Sequence, residues 1–286
     1  MTLPDLNFIV TVDVEEDNWG YEHTGLTVEN IRMIPRLQNL LDRYGVKPTY
    51  LVSYQVASCN WAVDILAKIL SENKCEIGAH LHPWTTPPVT EVINERNSML
   101  ANLPYELQKA KLKTLTSKLY DAFGERPRSF RAGRWGLGPD TVKALIECGY
   151  LVDSSVTPTI SWKDDGEGPD YPEVKIAPYW MSPEGLQCRE NSPSILEVPA
   201  TIGFNRWPFE LWQKVYLILK KDWLSFLKPA GIMHRTGLLR KIWLSPEVSS
   251  AEDMIALSRL MIMNDAQYLN LSFHSTTMLP GKSPFV

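Results

Sequence analysis

Phe8-Ile9-Val10-Thr11-Val12-Asp13-Val14-Glu15-Glu16-Asp17 is the stretch on which the fold turns. The β-branched run from Phe8 to Val14 predicts a buried strand, and a run of acids follows it. A doubly wound nucleotide-binding sheet would carry a Gly-rich turn at that point, so the first strand already argues against one.

Six further runs carry the same signal: Thr49 to Tyr54, Glu76 to His82, Ser129 to Ala132, Leu151 to Val156, Ile195 to Ala200 and Tyr268 to His274. Between them, Ala62 to Leu70, Tyr105 to Phe123, Asp140 to Cys148, Phe209 to Lys220 and Ala251 to Met263 show the apolar spacing of helices, with Gly124 and Gly149 as stops. Val28 to Tyr44 reads as another helix, capped by Thr27 and ended by Gly45, with Pro35 kinking it or delaying its start. Alternation of this kind predicts an α/β fold with a parallel sheet, and about seven units in one chain favour a closed or nearly closed barrel. Residues 1–286 are therefore expected to form a single domain. The stretch from Thr157 to Ser194, rich in Pro, Gly and acids and holding Trp162, Tyr171, Tyr179 and Trp180, is expected to be a substrate-covering insertion or a solvated loop.

The chain has a net charge of -4 and no dense Lys/Arg cluster, which argues against nucleic acid or an anionic membrane as the principal partner. No run approaches the roughly 20 apolar residues of a membrane span, and the N-terminus has no signal-peptide pattern. A cytoplasmic location follows as an expectation. Cys59, Cys75, Cys148 and Cys188 are widely separated, so reduced thiols are expected instead of a disulfide framework.

In a parallel barrel the active site lies at the C-terminal ends of the strands, and here those ends carry unusual polar residues. The two-residue strand period puts Asp13 and Glu15 on one face of the first strand, and His80 and His82 on one face of the third. Two imidazoles opposite two carboxylates suit Zn²⁺ or a similar divalent ion with an open water position. Arg131, at the end of the fourth strand, would hold a carboxylate ionised and oriented, or else form a surface ion pair. Asp153 either orients a histidine or caps the next turn. His274, ending the last strand, is placed for proton transfer or for a backbone hydrogen bond. His23 and His234 receive no role.

Taken in order, these strand ends resemble the motifs of the polysaccharide deacetylase family, whose core is the NodB homology domain. Thr11-Val-Asp13-Val-Glu15 is similar to its first motif, Glu76-Ile-Gly-Ala-His80 to its second, Phe130-Arg131-Ala-Gly to its third, Asp153-Ser-Ser to its fourth and Phe273-His274-Ser275 to its fifth. The resemblance implies a distorted (β/α) barrel of seven or eight strands, a divalent metal, and hydrolysis of N-acetyl groups on glycans. It further implies that Asp13 is the catalytic base, Arg131 the residue orienting it, His274 the catalytic acid, Asp153 the partner that holds or tunes that acid, and His80 the first metal histidine.

The family usually places its metal carboxylate directly after the base and its second histidine four residues beyond the first; this chain has Val14 and Trp84 there. Glu15 replaces the carboxylate, with Asp17 as the alternative, and His82 replaces the second imidazole. The expected function is metal-dependent removal of an N-acyl group from an amino sugar of a bacterial glycan or its precursor. The competing readings are a two-carboxylate glycosidase, which would leave His80, His82 and Arg131 idle, and a metal-poor glycan-binding barrel.

Overall fold

A computed structural model gives the architecture, and it describes residues 6–18, 20–22, 25–171, 174, 176–183, 194–219 and 229–283. Among the described residues ten strands are formed: β1 (Asn7–Val14), β2 (Thr49–Val52), β3 (Glu76–Leu81), β4 (Ser129–Ala132), β5 (Val152–Asp153), β6 (Tyr179–Met181), β7 (Ile195–Glu197), β8 (Ile202–Phe204), β9 (Lys241–Trp243) and β10 (Tyr268–His274). Eight of them make one curled sheet in the order β10-β1-β2-β3-β4-β5-β7-β6, parallel throughout except for the antiparallel edge strand β6. The last long strand thus returns beside the first, which is the order of a barrel.

β8 and β9 form a separate antiparallel pair. The gap between β7 and β10 is bridged through them, because Leu244 N–H donates to Thr201 O at 2.8 Å and Ser272 N–H donates to Leu244 O at 3.1 Å. This makes a distorted barrel whose seam is closed by single hydrogen bonds instead of a full ladder.

The helices are α1 (Ile34–Asp42), α2 (Tyr54–Ala57), α3 (Asn60–Ser71), α4 (Tyr105–Phe123), α5 (Pro139–Glu147), α6 (Phe209–Leu219), α7 (Pro229–Arg235) and α8 (Ala251–Met263). The main core lies between the outward faces of the strands, where Val10, Val12 and Val14 alternate with the polar inward set, and the apolar stripes of α3, α4 and α5. A second cluster joins β8 and β9 to α6 and α8 through Phe204, Phe209, Ile242 and Leu257.

Several boundaries differ from the sequence expectation for identifiable reasons. Pro35 splits the expected Val28–Tyr44 helix: a 3₁₀ turn over Glu29–Met33 precedes α1, which begins with the proline in its first turn. Thr27 does not cap it, since its hydroxyl donates to Asp17 Oδ2 at 2.6 Å. The strand expected to reach Tyr54 stops at Val52, because Ser53 caps α2. The fifth strand is cut short by side chains that take its amides: Ser155 N–H donates to Asp153 Oδ2 and Val156 N–H to Glu197 Oε1. Strands β6, β8 and β9 are too short to leave a period in the sequence.

One buried cation ties α4 to the segment that leaves β3. Lys111 is fully buried, and its Nζ donates to the carbonyls of Pro83, Thr86 and Pro88 at 2.7 to 2.9 Å while pairing with Glu91 at 2.8 Å. Lys111→Met leaves those acceptors and Glu91 without their donor, and removal of one partner from a buried pair costs on the order of 3 kcal/mol. A lowered midpoint in urea unfolding, with faster amide exchange over residues 83–91, is the expected result. An unchanged midpoint would show that Lys111 does not hold this segment.

Candidate metal and acid-base site

The inward-facing strand ends meet in one cavity of about 410 Å³, lined by Asp13, Glu15, His80, His82 and His274 together with three tryptophans. The pleat of β1 puts Asp13 and Glu15 on its inner face, and the pairing of β3 with β4 sets His80 directly beside Arg131. The parallel register of β1 and β10 sets Asp13 beside His274.

Glu15, His80 and His82 offer ligand atoms that all lie within 4.8 Å of one another. Glu15 Oε2 is 3.3 Å from His80 Nε2 and 3.2 Å from His82 Nε2, and the two Nε2 atoms are 3.0 Å apart. The far side of each ring decides what those atoms are. His80 Nδ1 lies 3.1 Å from Arg131 O, and a carbonyl can only accept, so the proton sits on Nδ1. His82 Nδ1 faces the Glu16 carboxylate at 2.8 Å, which likewise demands a donor.

In the neutral rings both Nε2 atoms therefore present lone pairs toward the Glu15 carboxylate. The second oxygen, Glu15 Oε1, is buried without a hydrogen-bond partner among the described residues. A cation satisfies all of these groups at once, and the N₂O donor set with outer hydrogen bonds on each imidazole is the arrangement of a divalent metal site. In its absence a proton must substitute. Although burial opposes charge on His82, the field of Glu16 and hydrogen bonds to Glu15 and Glu16 outweigh it and raise its pKa to about 10. Burial also opposes ionisation of Glu15, but attraction to His274 and the hydrogen bond and charge of His82 hold it well below the usual carboxylate range.

Asp17, the alternative ligand, is occupied elsewhere. Its carboxylate accepts from Thr27 Oγ1, the Glu29 and Asn30 amides and the Asn30 side chain, so it organises the turn before α1. Trp84, which stands where a second histidine was sought, stacks on the His82 ring with centroids 4.3 Å apart. Gly133 permits that ring's position, since a Cβ there would lie 2.3 Å from His82 Cδ2.

Asp13 and His274 sit next to this cluster. Arg131, fully buried, donates to Asp13 Oδ1 at 2.7 Å, to Thr11 Oγ1 at 2.7 Å and to Ser154 Oγ at 2.8 Å. Asp13 Oδ2 lies 3.7 Å from His274 Nε2. The expectation that Asp153 holds this histidine is corrected: the carboxylate at His274 Nδ1 is Glu247, at 2.9 and 3.0 Å. Glu247 also accepts from the His274 amide and Thr277 Oγ1, which fixes its orientation. Burial disfavours the charged imidazole, but the fields of Glu247, Glu15 and Asp13 and the hydrogen bond to Glu247 raise its pKa to about 10.

Asp153 instead accepts from Ser155 Oγ at 2.7 Å and faces Glu197 across the β5–β7 pairing. Both carboxyls are fully buried; desolvation raises Asp153, and desolvation with the charge of Asp153 raises Glu197 well above its usual value. The pair lies away from the cavity lining.

Glu16 and Glu247 were not read from the sequence. Glu16 follows the end of β1, where the strand period no longer says which way a side chain points, and Glu247 lies in Ser245-Pro246-Glu247-Val248, a turn after a strand that left no signal. Trp135 and Trp243, 5.3 Å apart, line the cavity with Trp162. Arg134 and Trp135 both adopt left-handed backbone, φ +53° and +59°, a conformation such residues hold only when their surroundings impose it. Of the four aromatics in the expected covering segment, Trp162 reaches the cavity, whereas Tyr171 is buried with its hydroxyl on the carbonyls of Trp135 and Leu137. Tyr179 and Trp180 belong to β6, and residues 172–173, 175 and 184–193 of the segment lie outside the described residues.

No protein-family model matches the sequence, and no curated protein sequence does either. Solved structures do match. A Mycobacterium smegmatis protein provisionally named a polysaccharide deacetylase aligns with a TM-score of 0.52 at 15% identity, over 96% of this chain and 78% of its own. A Parabacteroides distasonis protein provisionally named a glycoside hydrolase/deacetylase aligns with a TM-score of 0.52 at 13% identity, over 70% of this chain and 47% of its own. The 4-alpha-glucanotransferase of Thermococcus litoralis aligns with a TM-score of 0.51 at 11% identity, over 97% of this chain and 34% of its own. This chain therefore has the fold of a polysaccharide deacetylase barrel, a fold it shares with a glucanotransferase.

Two substitutions test the electrostatic reading. Glu247→Gln removes the largest influence raising His274, so the imidazole, followed by NMR, is expected to lose its proton at a lower pH than in the parent; an unmoved titration would detach Glu247 from it. Glu16→Gln weakens the hydrogen bond that sets the His82 tautomer, and zinc affinity measured by calorimetry is expected to fall roughly tenfold or more.

Proposed function

We propose that the protein is a metal-dependent amide hydrolase that removes an acetyl or other acyl group from the nitrogen of an amino sugar, the sugar belonging to a bacterial glycan or its precursor. The observation that carries this reading is the contiguity of a Glu15, His80, His82 ligand set with an Arg131-held carboxylate and a Glu247-held histidine in one cavity. A glycosidase needs two carboxyl groups free to act across a sugar ring, whereas here Glu15 faces two imidazoles and Asp13 is fixed by an arginine.

Glu15, His80 and His82 would hold the ion, and Zn²⁺ suits the donor set. When bound, such an ion supplies Lewis acidity toward the amide carbonyl and a more acidic water. The remaining chemistry is carried by side chains. Arg131 holds Asp13 through Oδ1, so Oδ2 is the atom that accepts the proton of the attacking water. His274 is protonated at neutral pH because Glu247 stands behind it, and its proton goes to the nitrogen of the departing amine. Cleavage of the C–N bond then yields a carboxylic acid and a free amino sugar. The faces of Trp135, Trp162 and Trp243 suit the apolar faces of a sugar ring, with residues 157–171 contributing one side of the cavity through Trp162 and Asp165.

We further read 1–286 as one catalytic domain acting in the cytoplasm on a small or lipid-linked precursor. Among the described residues no helix is long and apolar enough to cross a membrane.

Acetate release from N-acetylated amino sugars tests the reading. Asp13→Asn and His274→Ala are each expected to lower it at least roughly a hundredfold with the circular dichroism spectrum unchanged. Exhaustive chelation is expected to abolish it and added Zn²⁺ to restore it. Full activity in either variant, or release of reducing ends without acetate, would overturn the assignment.

A further inference from the structure

The connection between β8 and β9 differs in character from the rest of the molecule. Residues 205–240 hold seven Lys or Arg against two Asp or Glu, a net charge of +5 in a chain whose total is -4. The chain-wide balance that argued against an anionic surface therefore conceals a strongly basic excursion. It is apolar as well, and on two sides. One face of α6 is turned inward, where Phe209, Trp212, Val215 and Tyr216 pack against the second core cluster. The opposite face carries Leu211, Lys214, Leu217 and Ile218 at helical spacing, all exposed.

Elsewhere on the connection, Trp207 precedes α6 with its ring against Phe209, Ile232 lies in α7 and Leu238 follows it; together with Leu211 and Ile218 these side chains are 44% to 55% exposed. Soluble surfaces carry single apolar residues without consequence, but a group of large ones on one excursion calls for a partner. Arg206, Lys214 and Arg235 are exposed among them, with Glu210 as the acidic exception. Exposed Leu, Ile and Trp interleaved with basic residues are what an anionic lipid surface takes up: the apolar tips enter the headgroup boundary and the cations meet the phosphates.

We propose that the outer face of α6, with Leu211, Lys214, Leu217 and Ile218, docks the protein peripherally on a negatively charged lipid bilayer, the exposed Arg206 and Arg235 of the same connection adding positive charge. The inference does not depend on the hydrolase reading. The excursion is nevertheless joined to the cavity by a short covalent path, since it ends at Lys241 in β9 and Trp243 of that strand lines the cavity wall.

The test is co-sedimentation of the full chain with sucrose-loaded vesicles, either of phosphatidylcholine alone or of phosphatidylcholine with phosphatidylglycerol. Binding to the anionic vesicles, weak binding to the neutral ones and loss of binding in high salt are expected. The double variant Arg206→Glu/Lys214→Glu is expected to lower the bound fraction about tenfold or more, and Leu211→Ser/Ile218→Ser to do the same at low salt. Tyr44→Ser, an exposed aromatic elsewhere on the surface, is expected to bind as the parent does. Parent protein that stays in the supernatant with anionic vesicles would overturn the proposal, as would binding unchanged by both double variants. A concentration-dependent dimer dispersed by Leu211→Ser/Ile218→Ser, without vesicle binding, would reassign the surface to a second copy of the chain.

Discussion

Two imidazole nitrogens and a carboxylate oxygen, all turned acceptor by what lies behind them, share a buried space too small for their mutual repulsion. That concentration of lone pairs is the constraint on which the rest of the barrel mouth depends. Arg131 O fixes the His80 tautomer, Glu16 fixes that of His82, and neither ring can turn its Nδ1 proton inward without leaving a buried acceptor bare. Trp84 and Gly133 act on the same ring, one by stacking on it and the other by leaving room for it. The arrangement is costly without a positive charge at its centre and satisfied with one.

A second buried charge organises the neighbouring half of the cavity. Arg131 reaches from β4 to Thr11 and Asp13 on β1 and to Ser154 beyond β5, so its guanidinium spans the barrel interior while its carbonyl supports His80. One residue thus links Asp13 to the Glu15, His80 and His82 cluster. Its charge also explains why the acidic cluster tolerates burial: Asp13 and Glu15 lie within one cavity, yet the first is paired with a guanidinium and the second with two imidazoles. His274 completes the set under the opposite influence, since Glu247 stabilises its charged form while Arg131 holds Asp13 by a charge-assisted hydrogen bond.

Much of this was legible because strand ends are where a period of two carries chemical information. Asp13 with Glu15 and His80 with His82 were assigned to common faces from that period alone, and parallel pairing then brought the faces together. What escaped shows where the signal stops. Glu16 sits one residue past the regular alternation, and Glu247 belongs to a turn after the three-residue strand β9, so no pattern marks either. Asp153 took the task of Glu247 from the resemblance to the family's fourth motif, and the paired register shows Asp153 facing Glu197 instead. The Pro35 break in the first helical stretch was visible as chemistry, but its outcome as a 3₁₀ turn followed by α1 depended on Asp17 binding the preceding loop.

The most direct measurement is anomalous scattering from a crystal of the protein soaked in Zn²⁺, recorded on both sides of the zinc absorption edge. A single strong peak bonded to Glu15, His80 and His82, with Asp13 and His274 beside it, is the expected result. A crystal in which those side chains stay as closely packed yet show no peak, or in which zinc settles on other residues, would contradict the reading of these lone pairs as a cation site.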